Sequence, residues 1–142
     1  GNEFKSSLEL YTYKRLKAEG INAVYEQLII TLVNPFRCNF DSYEQTGVTR
    51  AFKKSTGNMR AMTYTPDFTD PEFKEFIIEC KGFMNDSFPL KLKLMKKLFT
   101  EEGWKGTFYM PRSRVQVDEV IRLIKEKRIT NGKKSSEDKS QS

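Results

Sequence analysis

Tyr64-Thr65-Pro66-Asp67-Phe68, followed by Phe76-Ile77-Ile78-Glu79-Cys80-Lys81-Gly82, is the stretch whose reading decides the fold. Strand side chains alternate between the two faces of a sheet. Phe76, Ile78 and Cys80 therefore share one face, and Ile77, Glu79 and Lys81 share the other. The run stops at Gly82. Pro66 ends or edges a strand and fixes the backbone just before Asp67. The intervening residues 69–75 are hairpin-sized and contain Asp70-Pro71, the chemistry of a turn. Two strands joined in this way set Asp67, Glu79 and Lys81 side by side at the rim of a sheet. Two carboxylates and a lysine so placed suit a site that holds a divalent metal against a phosphodiester.

Glu-x-Lys carries little by itself. It recurs at Glu3-Phe4-Lys5, Glu72-Phe73-Lys74 and Glu137-Asp138-Lys139, and in so charged a chain its ordinary meaning is a solvated ion pair. Glu79-Cys80-Lys81 differs in its setting. It lies in the most apolar strand-like run of its region, with Pro-Asp a short segment before it.

Composition narrows the chemistry. With 142 residues the chain suffices for one domain with a real core, and its 11 Phe and 6 Tyr supply the material to bury. No apolar run is long enough to span a bilayer, and no charged-apolar-small pattern of an export signal opens the sequence. The net charge of +6 suits a polyanionic partner, or equally a surface rich in lysine. Cys38 and Cys80 make neither a disulfide framework nor a zinc site, which points to an intracellular setting. Histidine is absent. That excludes Ser-His-Asp and Cys-His catalysis and any histidine-based metal nuclease from this chain. Hydrolysis here would run on carboxylates, lysine and a hard metal.

Along the chain, Ser6-Ser7-Leu8-Glu9 fits a capping box that opens a helix, Gly20 ends it, and Leu10, Tyr13 and Leu16 form its apolar stripe. Residues 21–32 read as one long β-branched strand. Residues 33–54 carry turn signals at Asn34-Pro35 and Asp41-Ser42. Residues 49–54 read as a strand turning at Ser55-Thr56-Gly57-Asn58 into residues 60–64. Asn85-Asp86-Ser87 is a capped loop, and Pro89 suits a first helical turn. Leu90, Leu94 and Leu98 then form a stripe with Met95 and Phe99 beside them, lysines cover the rest, and Gly103 closes that helix. Residues 107–110 read as a strand. Val117, Val120, Ile121 and Ile124 line one face of a last helix. Residues 1–129 form a single domain, and 130–142 a disordered polar tail.

Pro-Asp-Phe followed by Ile-Glu-Cys-Lys-Gly resembles the signature of the PD-(D/E)XK nucleases. The opening of the chain is similar to that of the junction-resolving endonuclease I of T-odd phages: Phe4-Lys5-Ser6-Ser7-Leu8-Glu9, Leu16-Lys17-Ala18-Glu19-Gly20-Ile21 and Tyr25-Glu26. A lysine-rich helix over 90–99 and a strand over 106–110 match the end of that pattern. Residues 60–64 and 91–99 also resemble a second phage-borne family with the same signature. The likeness covers roughly residues 4–110.

The resemblance implies an α/β fold, restriction-endonuclease-like, with a mixed central β-sheet flanked by helices. It implies a Mg²⁺- or Mn²⁺-dependent DNA endonuclease acting on branched or structured DNA, in the manner of a Holliday-junction resolvase. Its setting would be the cytoplasm of a bacterium or phage-infected host. Asp67, Glu79 and the Cys80 carbonyl are the expected metal ligands. Lys81 is the expected partner of the attacking water, or else a simple ion pair with Glu79 or Asp67. Glu9 matches a helix glutamate that reaches the metal in the resembled families; its alternative is the capping box. Glu26 is either an outer support of the site or a strand-surface carboxylate. Lys91, Lys93, Lys97, Arg112 and Arg114 fit phosphate contacts, or a solvated helix face and loop.

Two other functions fit the same residues: a nuclease of ordinary duplex DNA, and a non-catalytic nucleic-acid-binding module. A homodimer is expected, with 21–32 and 60–64 at its contact. One departure stands out. The segment between the first strand and Pro66 is much longer than the bridge of the phage resolvases.

Overall fold

The computed structural model describes residues 3–45, 47, 50–81 and 87–140, the stretch 134–140 as backbone alone. Gly82, Asn85 and Asp86, and the first residue of the 49–54 reading, lie outside the described residues. The elements in order are α1 (Ser7–Ala18), β1 (Val24–Tyr25), β2 (Ile30–Val33), β3 (Phe36–Arg37), β4 (Tyr43–Gln45), β5 (Phe52–Lys54), β6 (Asn58–Met59), β7 (Met62–Tyr64), β8 (Phe68–Thr69), β9 (Phe76–Ile78), α2 (Phe88–Glu102), β10 (Thr107–Tyr109) and α3 (Arg114–Ser140).

The fold is mixed α/β. Its central sheet runs β1-β8-β9-β10. β1, β8 and β9 are successively antiparallel, while β10 is parallel to β9. A parallel neighbour requires a crossover, and α2 supplies it between β9 and β10. The alternation of β9 then divides the core into two layers. Phe76, Ile78 and Cys80 join Leu16 of α1, Ile21 just after that helix, and Val120, Ile121 and Ile124 from α3. Ile77 turns the other way, to Phe88 and Met95 of α2 and to Ile30 and Tyr64. The period of two read in residues 76–81 is thus what places helices on both sides of this strand.

The β8–β9 turn is held by one carboxylate. Asp70 is buried, and it accepts from the backbone N–H groups of Lys74, Glu75 and Phe76 at 3.1, 2.9 and 3.0 Å. Burial alone would raise its pKa, but the donations from Phe76, Lys74 and Glu75 hold the carboxyl below its ordinary value. Asp70→Ala strands three donors, so it is expected to cost about 2–4 kcal/mol in denaturant unfolding. A change below about 0.5 kcal/mol, the range of an ordinary surface substitution, would show that the turn holds itself.

Helix ends follow the sequence closely. The Ser6 side chain accepts from Glu9 N–H. Gly20 takes φ +67, and the N–H groups of Gly20 and Ile21 return to the carbonyls of Lys17 and Leu16. That is a Schellman closure at a residue with no Cβ to clash.

The faces of α1 and α2 differ in part from the sequence reading. α1 buries Glu9, Thr12 and Leu16, and Leu10 is exposed. α2 buries Phe88 and Met95 with Leu92, Leu98 and Phe99 packed beside them, leaving Leu90 outside. The Leu-Lys alternation of 90–94 masks this seam, whose members are spaced by three and four residues. The face of α3 is as read: Val117, Val120, Ile121 and Ile124 are all buried. Where the sequence suggests disorder from residue 130, α3 stays helical to Ser140. The stretch 130–140 contains no proline, its three lysines are good helix formers, and Gly132 alone does not break it.

Residues 21–32 are not one strand. β1 and β2 belong to different sheets. The break falls at Glu26, whose φ of 51° leaves strand geometry and whose N–H donates to the Asp67 carbonyl at 2.9 Å. β2 then pairs with β7, β3 with β6, and β4 with β5, all antiparallel. The described residues between Ile30 and Tyr64 therefore form a two-stranded ribbon. Ser55-Thr56-Gly57-Asn58 is an irregularity within its returning strand, not a reversal into residues 60–64. Gly57, at φ +81, lets Cys38 N–H reach its carbonyl across the ribbon.

Candidate active site

Strand register builds the site. Phe68 lies opposite Ile78 and Tyr25 opposite Phe68. One step beyond, at the same end of three adjacent strands, stand Glu26, Asp67 and Glu79. Lys81 follows two residues on, and Cys80 N–H donates to Asp67 Oδ2 at 2.8 Å. Glu9 arrives from α1, whose Thr12 hydroxyl lies 3.3 Å from the Cys80 sulfur. A cleft of about 560 Å³ is lined by Glu9, Glu26, Asp67, Glu79, Cys80, Lys81 and Lys91, among others.

The carboxylates divide into two groups with Asp67 between them. Glu9, Glu26 and Asp67 each offer an oxygen within 4.8 Å of the others. Tyr25 Oη–H donates to Glu9, and Lys5 Nζ pairs with Glu26 at 2.8 Å. Glu79 is held separately. It pairs with Lys81 Nζ at 3.0 Å and accepts from Tyr64 Oη–H and from Asp67 N–H. Sequence reasoning pairs Asp67 with Glu79; among the described residues Glu9 and Glu26 also bring a carboxylate oxygen within 4.8 Å of one on Asp67. Of the two readings of Glu9, the cap is only half present: Ser6 accepts from Glu9 N–H, while the Glu9 carboxylate turns to Tyr25.

Burial and charge set the protonation of this cluster. Asp67 is buried at 7 % exposure. Burial first, then the negative charge of Glu79, push its carboxyl up to about 7, against the opposing Cys80 N–H. Burial drives the Cys80 thiol up to about 12, so it is a neutral packing group. Tyr64 is raised by burial and by Glu79, and Tyr25 by burial and by Glu9, so both phenols stay protonated donors. The donor set is all oxygen, crowded and short of positive charge. It fits a hard divalent cation such as Mg²⁺ or Mn²⁺.

The basic residues separate by position. Lys91 lines the cleft, and Arg112 and Arg114 line an adjoining hollow beside Glu9, Cys80 and Lys81. Lys93 is exposed on α2, and Lys97 pairs with Glu101 one turn on. The structure thus brings Lys91, Arg112 and Arg114 to the site and leaves Lys93 and Lys97 on a solvated face. Lys81 Nζ also sits 4.1 Å from the centre of the Phe88 ring, which steadies the ammonium from the α2 side.

Three contributors were not legible as site residues: Lys5, Tyr25 and Tyr64. Only a period-two reading of residues 62–64 extended across β2 could have aimed Tyr64 inward. Tyr64→Phe removes a donor from a buried carboxylate. It is expected to cost about 1–3 kcal/mol of stability in denaturant unfolding. An unchanged midpoint would mean that Lys81 and Asp67 N–H satisfy Glu79 alone.

Comparison of the chain with protein-family models, curated proteins and solved structures finds no match. Among the described residues no helix is long and apolar enough to cross a membrane.

Proposed function

We propose that the protein is a metal-dependent endodeoxyribonuclease that hydrolyses phosphodiester bonds at the Asp67 cleft. The observation that carries this reading is the convergence of Glu9, Glu26, Asp67, Glu79 and Lys81 on one cleft, from three strand ends and a helix. A pure binder of polyanions has no use for four carboxylates facing phosphate.

Asp67, Glu79, Glu9 and the backbone carbonyl of Cys80 are the groups to hold Mg²⁺ or Mn²⁺, with Glu26 supporting Asp67. A bound divalent cation neutralises phosphate charge and acidifies water. The chain's own groups do the rest. Lys81 orients the attacking oxygen and offsets charge growing on the phosphate. Glu79 holds Lys81 in place, and Tyr64 and Tyr25 fix the carboxylates they donate to. Lys91, Arg112 and Arg114 offer positive charge to the flanking phosphates.

Branched DNA is the favoured substrate, on the resemblance of residues 4–110 to the junction-resolving nucleases. Cutting both strands of a branch calls for two such sites, and so for a homodimer about a two-fold axis. The contact would lie away from the β2 edge that β7 of the same chain already occupies. A panel of four-way junction, flap, nicked duplex and plain duplex, at equal concentration with Mg²⁺, tests this. Junction cleavage at least tenfold faster than duplex cleavage is expected. Equal rates on all four would leave a general nuclease of duplex DNA. Binding without cleavage on any of them would leave the non-catalytic module.

A further inference from the structure

The ribbon outside the core is the largest feature the proposed chemistry does not use. None of the described residues between Val33 and Met62 is buried. Its two strands run from the β2–β7 pair out to the β4–β5 pair. Twelve residues separate Val33 from Gln45, a reach of up to about 40 Å in extended backbone. A ribbon of two strands is marginal in water without a packed face, yet this one exposes its aromatics. Phe36 is 53 % exposed, Phe40 67 % and Phe52 72 %. The same segment carries five basic residues, Arg37, Arg50, Lys53, Lys54 and Arg60, against two acidic ones, Asp41 and Glu44. Its root is the wall of the cleft: Tyr64 of β7 donates to Glu79, and Ile29, next to β2, lines the cavity.

From these observations we infer that the ribbon is a duplex-binding arm, laid into the major groove of DNA beside the bond that is cut. Three properties select this occupant. The net positive charge complements a polyanion and would repel a second copy of itself. A two-stranded ribbon is one of the two elements that the major groove, about 12 Å wide, admits. Arginine and lysine interleaved with apolar side chains match phosphate contact combined with packing on sugars and thymine methyls. The inference rests on the nuclease reading for the identity of the polyanion as DNA. It adds that duplex on one side of the cleavage point is gripped by β3, β4, β5 and β6.

The test uses the full chain, its Arg37→Ala, Arg50→Ala, Lys53→Ala, Arg60→Ala quadruple variant, and Phe52→Ser. Binding to a fluorescent 30-base-pair duplex is measured with Ca²⁺ in place of Mg²⁺, across a salt series. Each lost phosphate contact lowers the slope of log K against log salt by about 0.9. The quadruple variant is expected to bind at least tenfold more weakly, with a slope shallower by about 2 to 4. Phe52→Ser is expected to weaken binding with the slope unchanged. Thermal melting, alike for all three proteins, shows that the variants fold.

Wild-type affinity and slope in a folded quadruple variant would overturn the arm while leaving Mg²⁺-dependent cleavage untouched. Ribbon-dependent binding by a wild type that cuts nothing would sink the nuclease and keep the arm. A fall from dimer to monomer mass in the variants, with DNA affinity intact, would make the ribbon a protein interface and overturn the arm.

Discussion

Asp67→Asn is expected to abolish cleavage, lowering the rate by at least about a thousandfold, and to make the metal-free protein more stable. Asparagine keeps an oxygen for the Cys80 N–H but cannot supply the charge that holds a cation. The stability gain follows from protonation. In the fold the Asp67 carboxyl is pushed from 3.8 to about 7, by burial and by the charge of Glu79. Between those two values the folded protein carries a proton that the unfolded chain does not, so the stability of the wild type falls as pH rises from about 4 to about 7. The asparagine variant escapes that loss. Its advantage in melting temperature should open across this interval, reach several degrees, and stay constant above it. A constant gap at every pH would mean that Asp67 titrates normally. A wild-type cleavage rate in the variant would remove Asp67 from the chemistry.

Lys81→Ala is expected to slow cleavage by roughly ten- to a thousandfold, the range for removing one electrostatic stabiliser, with metal affinity retained. The geometry makes this sharper. Lys81 is the cation 3.0 Å from Glu79, and it also rests against the Phe88 ring. Lys81→Arg should recover only part of the rate, because a planar fork does not fit a seat made for a point charge. Full activity in the alanine variant would reduce Lys81 to an ion pair that steadies Glu79. Loss of metal binding in that variant would likewise reassign it, as a residue needed to shape the ligand set.

These predictions rest on parts of the molecule that were legible to different degrees. The alternation from Phe76 to Lys81 is local and strict, so the two faces of β9 and the place of Glu79 could be read directly. Asp67 followed from it, because a hairpin-sized segment with Asp70-Pro71 leaves little freedom in how the two strands meet. The split of residues 21–32 was hidden. Glu26 leaves strand geometry where its N–H meets the Asp67 carbonyl, a partner 41 positions away, and nothing in its neighbours announces that. The face of α2 was legible only in part: Met95 and Phe99 stand beside the stripe that was read, but a regular Leu-Lys alternation advertises Leu90, whereas burial selects Phe88. The phenols of Tyr25 and Tyr64 became site residues only through the fold, which brings each to a carboxylate 15 or 16 positions away. The ribbon had visible turn signals, but its pairing is a chain of cross-strand contacts that no short motif encodes.

The division of the carboxylates also shapes the chemistry. Glu79 pairs with Lys81 and accepts from Tyr64, while Glu9 and Glu26 crowd Asp67. Asp67 is the member common to both groups, which is why its substitution carries the largest expected effect. Glu26, by contrast, is already partnered by Lys5, and its loss should matter less.

The central claim is that this cleft cuts DNA with a divalent metal. Supercoiled plasmid incubated with the purified protein, with Mg²⁺ or with chelator, tests it most directly. The account predicts nicked and linear product in Mg²⁺, none in chelator, and none from Asp67→Asn under either condition. Intact plasmid in Mg²⁺ and in Mn²⁺ alike, from a folded protein that binds DNA, would contradict it.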